Sequence, residues 1–286
     1  MSENPAARKR MIGAPLTVPA RLLPSVRLRR RVALFAASIA GLAGLFLYLH
    51  VDPLILVSDF HYVTGVIDEM LPPNFRLLWV KPSIWQSLVQ TVSMAFLGTL
   101  VGAGIAFVIS VLAAGNTAPN GAVRLVVRTL LATERCTPNI VVLLVLLIAV
   151  GIGPFAAMLS LCVGSVGMFG KLFADAIEQV DPAPGEAIAA AGAGRLQILR
   201  YAVLPQVLPS VVANSFYAFD VNLRAAVALG VFGGGGIGFE INVARSVLRY
   251  KDMFACLILV MVMINLMEHA ADFIRKRLFS LEGELR

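Results

Sequence analysis

Apolar residues run in long blocks along this chain, separated by short polar segments. A bilayer core takes about 20 consecutive apolar residues in helical form. The blocks predict six membrane-crossing helices, at residues 32–51, 84–114, 139–151, 155–173, 204–231 and 253–271. The third block is short, and the apolar stretch from Leu125 to Leu131 is the natural extension of it. Between the first two blocks, residues 52–83 form a mixed loop with Asp52, Asp59, Asp68, Glu69, Arg76 and Lys81. It also carries Pro72-Pro73 and Trp79, with Trp85 just beyond, aromatics that suit a membrane boundary. Residues 115–120 read as a turn, and so does Gly151-Ile-Gly-Pro154. Residues 174–203 interrupt the alternation. They are helix-like but too polar and broken to cross, so they form the longest connecting segment after the N-terminus.

Composition agrees with this pattern. The 286 residues are 58% hydrophobic and 14% charged, against roughly 25% charged in an average soluble domain. That excludes a soluble globule, and the apolar content excludes a disordered chain. The fold class is all-α, a polytopic membrane protein of about six helices.

The net charge of +7 is concentrated at one end. Residues 1–31 hold Arg8, Lys9, Arg10, Arg21, Arg27, Arg29, Arg30 and Arg31 against Glu3, and this block abuts the first apolar run. Basic residues flanking a first span hold that side in the cytoplasm. Residues 1–31 are therefore expected to be a cytoplasmic tail, also suited to anionic headgroups, and not a nucleic-acid arm. With six spans both termini fall inside, and residues 52–83 fall outside. Arg245, Arg249 and Lys251 then sit on the outer face, which the charge rule disfavours without forbidding. The first run is longer than a signal-peptide core, and no small-x-small cleavage site follows it. Cys136, Cys162 and Cys256 are dispersed and suggest neither a disulfide framework nor zinc. His50, His61 and His269 give no metal spacing. No Gly-x-Ser-x-Gly and no phosphate-loop motif occurs, so the chain has no means of hydrolysing ATP itself. An intramembrane hydrolase would need a nucleophile–base pair or metal ligands at membrane depth, and the sequence offers none.

The most informative stretch is Glu186-Ala187, then Gly192, then Leu204-Pro205. An alanine-rich helix with one acid is slim enough to enter a cleft. Gly192 permits a tight reversal, and Pro205 opens a helix where its missing N–H costs nothing. This spacing resembles the EAA loop of ABC importer permeases, with Ala202 where the pattern usually has Ile. The runs Gly170 to Pro182, Arg195 to Pro209 and Gly233 to Glu240 are similar to the phosphonate importer permeases, over roughly residues 84–280. Around Glu134-Arg-Cys-Thr-Pro138 the likeness is looser.

The resemblance implies a type I ABC importer permease fold in the bacterial inner membrane, organised as the tail, a first helix with its outer loop (32–83), and a permease domain (84–280). It also implies a permease homodimer and an ATPase dimer docked on the loop at about 174–203. ATP and Mg would be held by that ATPase and no cofactor by this chain. An extracytoplasmic binding protein would deliver phosphonate or a related phosphorus oxyanion. A permease for another small solute and a passive channel are the alternatives, and a channel has no use for a docking loop.

The fifth block carries its own polar pattern. Ser210, Asn214, Tyr217, Val221 and Arg224 follow spacings of four, three, four and three, which is one helical face. Asp220 lies one turn before Arg224, within pairing reach. Two readings stay open here: Arg224 presents a fork to a cargo oxyanion in the outer half of the span, or Asp220 and Arg224 neutralise each other and hold helices together. The glycines Gly233, Gly234, Gly235, Gly236 and Gly238 line an outer gate with backbone amides, or make a bare tight turn.

Overall fold

The computed structural model describes residues 24–49, 58 and 60–284, with side chains described from 28 to 276. Among these, the chain is helical and divides into two units, residues 1–66 and 67–286. Most of the basic tail lies outside the described residues. Its last part does not: helix α1 runs Pro24–Tyr48, so Arg27 to Arg31 are its first turns and not a flexible leader. The membrane-length part is Leu28–Tyr48, and none of it is buried within its own unit.

The segment between the first two apolar blocks is more ordered than a loop. It contains α2, Phe60–Met70, and a single turn, α3, Leu77–Val80. The larger unit is built on α4 (Ser83–Ala113) and α7 (Pro154–Glu178), whose backbones approach closely. A Cβ at Gly98 would stand 2.8 Å from Leu161 Cβ, and one at Gly102 would stand 2.5 Å from Ser165 Cβ. Small residues at a crossing let membrane helices gain packing contact where burial from water contributes nothing.

The third crossing differs from the expected single helix. Two helices, α5 (Gly121–Arg135) and α6 (Asn139–Val150), meet at 91°. At 12 residues, α6 covers only about 18 Å, too little for a core of about 30 Å. The reason is local. Pro138 disfavours helix in the residue before it, and the chain on either side is pinned to α7. Leu131, Glu134 and Asn139 lie over Gly170, Gly167 and Gly164, where added Cβ atoms would collide with them. Asn120 caps α5, accepting from the Val123 N–H at 2.8 Å.

Beyond α7 come α8 (Ala183–Ala190) and α9 (Arg195–Ile198). The fifth crossing starts earlier than the apolar block indicates. A π-helical turn at Leu199–Val203 joins α9 to α10 (Leu204–Leu229), so the helix is continuous from Arg195 to Leu229. Pro205 lacks an N–H and its ring crowds the carbonyl one turn back. A π turn is the usual way a helix absorbs such a defect without ending. After a break at Gly230–Gly234, α11 (Gly236–Ser246) and α12 (Tyr250–Glu284) complete the chain. Five described helices are long and apolar enough to cross a membrane, or six if α5 and α6 count as one broken span.

One end of this unit carries α8 and α9, and will be called the loop end. At the far end, Lys81 pairs with Glu240 at 2.7 Å and Asn74 Nδ2 donates to Asp252 Oδ1 at 2.7 Å. Asp252 also holds Arg249 at 2.8 Å. One of the three bases that the charge rule disfavoured here is thus neutralised within its own turn.

Candidate functional site

The loop between α7 and α10 is held at its neck. Gln206 accepts from the Asp181 N–H through Oε1 at 3.0 Å, and its Nε2 donates to the Asp181 carbonyl at 3.3 Å. One side-chain amide thereby satisfies both backbone groups of a residue 25 positions away, joining the two ends of the loop. Asp181 Oδ1 then accepts from the Ala183 N–H at 3.0 Å and starts α8.

No residue of α8 is buried. Glu186 sits in its first turn, where a negative charge complements the helix dipole. Ala187 and its neighbours leave a slim, exposed surface. The helix ends at Gly192, with φ +87°. The Gly192 N–H donates to Ala189 O at 2.9 Å and the Ala193 N–H donates to Ile188 O at 3.3 Å. This pair of bonds is the Schellman arrangement, which requires a left-handed residue at that place. Nothing lies within 4 Å of a Cβ built on Gly192, so backbone conformation alone selects glycine. Leu204 and Pro205 follow the π turn as the first residues of α10. A cavity of about 830 Å³, lined by Asn116, Asp181, Gly185, Glu186, Arg195 and Leu199, lies beneath this segment.

Just before the neck, Glu178 closes α7. Its Oε1 accepts from Arg124 at 3.1 Å and Arg128 at 2.9 Å and from the Gly115 N–H. Arg128 Nε also donates to Ala113 O at 2.9 Å. The ends of α4, α5 and α7 are thereby fastened together beside the loop.

Helix α10 has two faces. Val207, Ala218, Asn222, Leu223, Ala226 and Leu229 are buried in the bundle. Asn222 Nδ2 donates to Thr99 Oγ1 at 2.8 Å and to Ser165 Oγ at 2.7 Å, a buried polar link among α10, α4 and α7. The sequence-derived face lies largely on the other side. Asn214 Nδ2 donates to Ser210 O at 2.9 Å, and Tyr217 is 55% and Val221 37% exposed. Arg224 pairs with Asp220 at 2.9 Å, and also with Glu268 of α12 at 3.7 Å. Asp220 Oδ1 is buried with no hydrogen-bond partner. Two carboxylates thus flank one guanidinium.

Arg224 lies in the last third of α10. It is about 30 Å along α10 from Leu204, and its partner Glu268 is about 27 Å along α12 from Tyr250. Thr91 Oγ1, which accepts from the Ile237 N–H at 2.9 Å, is itself about 12 Å inside the start of α4.

The glycine run is a packed knot. Gly234, Gly236 and Gly238 are buried, while Gly233 and Gly235 are partly so. Gly233, Gly235 and Gly236 have φ of +103°, +77° and +67°. A Cβ on Gly230 would stand 2.5 Å from Gly235 O, and one on Gly238 would collide with Val227 O.

Sequence reasoning missed Asn222, Gln206, Glu178 and Glu268. Glu268 had a signal, a lone acid within an apolar block. Gln206 and Asn222 had none, because their roles depend on partners distant in sequence. No group of three or more His, Cys, Asp or Glu is placed to hold a metal among the described residues.

This is the architecture of a transport-subunit bundle, and residues 106–280 match the family model of the binding-protein-dependent transport system inner membrane component. The chain belongs to that family, as a permease subunit. It is 34% identical over 88% of its length to the phosphate-import permease protein PhnE of Mycolicibacterium smegmatis, of which it spans 47%, about half. It is 36% identical over 79% of its length to the phosphite transport system permease protein PtxC of Stutzerimonas stutzeri, covering 81% of that protein. Among solved structures, an inward-facing MetNI methionine ABC transporter superposes with a TM-score of 0.59 at 24% identity. That match covers 71% of this chain and 98% of the matched one. The fold is that of an ABC importer permease.

Proposed function

We infer that this chain carries a phosphorus oxyanion, of the phosphonate and phosphite class, across the inner membrane, driven by ATP hydrolysis in a docked partner subunit. One observation carries the reading: a motif-bearing helix, α8, stands clear of the bundle with none of its residues buried. It is tied at its neck to α7 and α10 through Asp181 and Gln206. A docking element has to be exposed at its tip and firmly joined at its base, and this one is both. The names of the relatives that handle phosphate and phosphite support the cargo class.

The exposed polar face of α10 supports a second copy of the chain. Polar and charged side chains at membrane depth face protein or a water-filled path, not lipid. Tyr217 and Arg224 are exposed on α10, with Ser210, Asn214 and Asp220 half-buried beside them, so a homodimer would enclose the path between two such faces. The glycine knot closes α10 beyond it. An extracytoplasmic binding protein delivers the oxyanion at the far end, and the partner ATPase holds ATP and Mg at the loop end. The loop end and both termini are cytoplasmic. A cysteine at Asp68 labels with an impermeant reagent from outside, and one at Gly283 does not; labelling at Gly283 would remove a span.

The Arg224 guanidinium exchanges its long 3.7 Å contact with Glu268 for cargo oxygens while keeping Asp220. A planar fork can grip two oxygens at once, which an ammonium cannot. The test is oxyanion uptake in vesicles by Arg224→Lys. Assembly and ATPase docking persist and uptake falls about tenfold or more, the cost of one charge-assisted hydrogen bond. Uptake at the parental rate would leave Arg224 as a helix-pairing residue only.

A further inference from the structure

A second cationic site lies away from α10. The end of α4, helix α5 and helix α7 enclose a pocket of about 500 Å³ at the loop end, lined by Ala113, Arg128, Leu131, Arg135, Lys171 and Ala174 among others. Three of its lining residues are cations and none is an acid. Arg128 is already committed, to Glu178 at 2.9 Å, Asp175 at 3.8 Å and Ala113 O at 2.9 Å. No carboxylate stands within ion-pair distance of Arg135 or Lys171 among the described residues. The Glu134 side chain, adjacent in sequence to Arg135, lies over Gly167 and forms no ion pair with either cation. Arg135 and Lys171 therefore face, without an ion-pair partner, a cavity whose other walls are Arg128, Cys136, leucine and alanine.

The setting defines what fits there. Helix α5 turns 91° from α6, so the two cannot both lie along the bilayer normal, and α5 is taken as the one that runs along the surface. The side of α5 away from the bundle is apolar: Leu125, Val126 and Leu130 are all exposed, with Thr129 and Thr133 between them. A helix with an apolar outer side and basic residues turned inward suits the headgroup boundary, with acyl chains along one side. Basic pockets between membrane helices on the cytoplasmic side bind anionic headgroups. A small hydrated oxyanion would gain the charge here but nothing from the apolar walls. A lipid gains both.

We propose that the α4–α5–α7 pocket binds the phosphodiester of an anionic phospholipid, held by Arg135 and Lys171, with its acyl chains covering Leu125, Val126 and Leu130. The pocket is independent of the cargo assignment, because it shares no residue with the polar face of α10. A bound lipid there braces the broken third crossing at the point where α5 joins the Glu178 cluster and the neck of the loop.

The experiment is native mass spectrometry of the full-length chain in detergent, with phosphatidylglycerol or phosphatidylcholine of equal chain length added. The parental protein retains phosphatidylglycerol about tenfold better, as expected for two cations near an anionic headgroup. The double variant Arg135→Gln, Lys171→Gln loses that preference, and the charge-keeping double variant Arg135→Lys, Lys171→Arg retains it. Excess inorganic phosphate does not displace the lipid. Equal retention of the two lipids by the parental protein, or an unchanged preference in the glutamine variant, would overturn the proposal. Displacement by phosphate would overturn it in favour of a free-oxyanion site. The parental comparison decides even if the glutamine variant fails to fold.

Discussion

The two ends of α10 are interrupted in opposite ways. At the loop end, a π turn, Pro205 and the glycine-terminated α8 form a segment with an exposed tip, held to the bundle by the buried Ala202 and Val203 and by the Gln206–Asp181 amide pairing. At the other end, Gly230 to Gly238 form a break so tight that several positions have no room for a Cβ. Both regions use glycine and both break a helix. In one, glycine is chosen by backbone dihedral with empty space around it. In the other, crowding excludes a Cβ at Gly230, Gly234, Gly236 and Gly238, and positive φ adds its own demand at Gly233, Gly235 and Gly236. A lever and its fulcrum differ in this way: the loop end is free to be engaged, and the glycine knot fixes where the helix stops.

The sharpest way to break that contrast is at the knot. Gly238→Val drives a side chain into the Val227 carbonyl of the preceding helix. Overpacking at a backbone contact costs about 3 kcal/mol or more, so the variant should express poorly and lose its cooperative thermal transition in detergent. Gly192→Val meets no neighbouring atom and adds only the left-handed backbone penalty, about 1–2 kcal/mol. Its membrane insertion and bundle stability should match the parent, with the loss confined to α8. Gln206→Ala is the mildest for stability, below about 1.5 kcal/mol for partly exposed hydrogen bonds. It should still lower the oxyanion transported per ATP hydrolysed, because the loop is no longer gripped at its neck. If Gln206→Ala transports with parental economy, the neck is not part of the transmission.

The same contrast explains what the sequence made legible. The first, second, fourth and last apolar blocks and the helix–turn at Glu186–Gly192 depend on neighbours within a few turns, and each appears in the fold as a helix near where the pattern placed it. The third crossing did not read correctly, because its 91° turn depends on Glu134 and Asn139 seating over glycines of α7, a contact between segments far apart in sequence. The fifth crossing read as starting at Leu204, because prolines usually mark helix starts and a π turn leaves no compositional trace. Arg224 was paired correctly with Asp220, but Glu268 approaches from α12. Short-range chemistry was visible; long-range partners were not.

The central claim is that the loop from Asp181 to Gln206 transmits the cycle of a partner ATPase to α10. The most direct measurement is the number of ATP molecules hydrolysed per oxyanion imported, in proteoliposomes holding the complete transporter with Gly192→Val in the permease. The account expects the complex to assemble and hydrolyse ATP while uptake falls, so that the ratio rises several-fold. An unchanged ratio, with uptake at the parental rate, would contradict it.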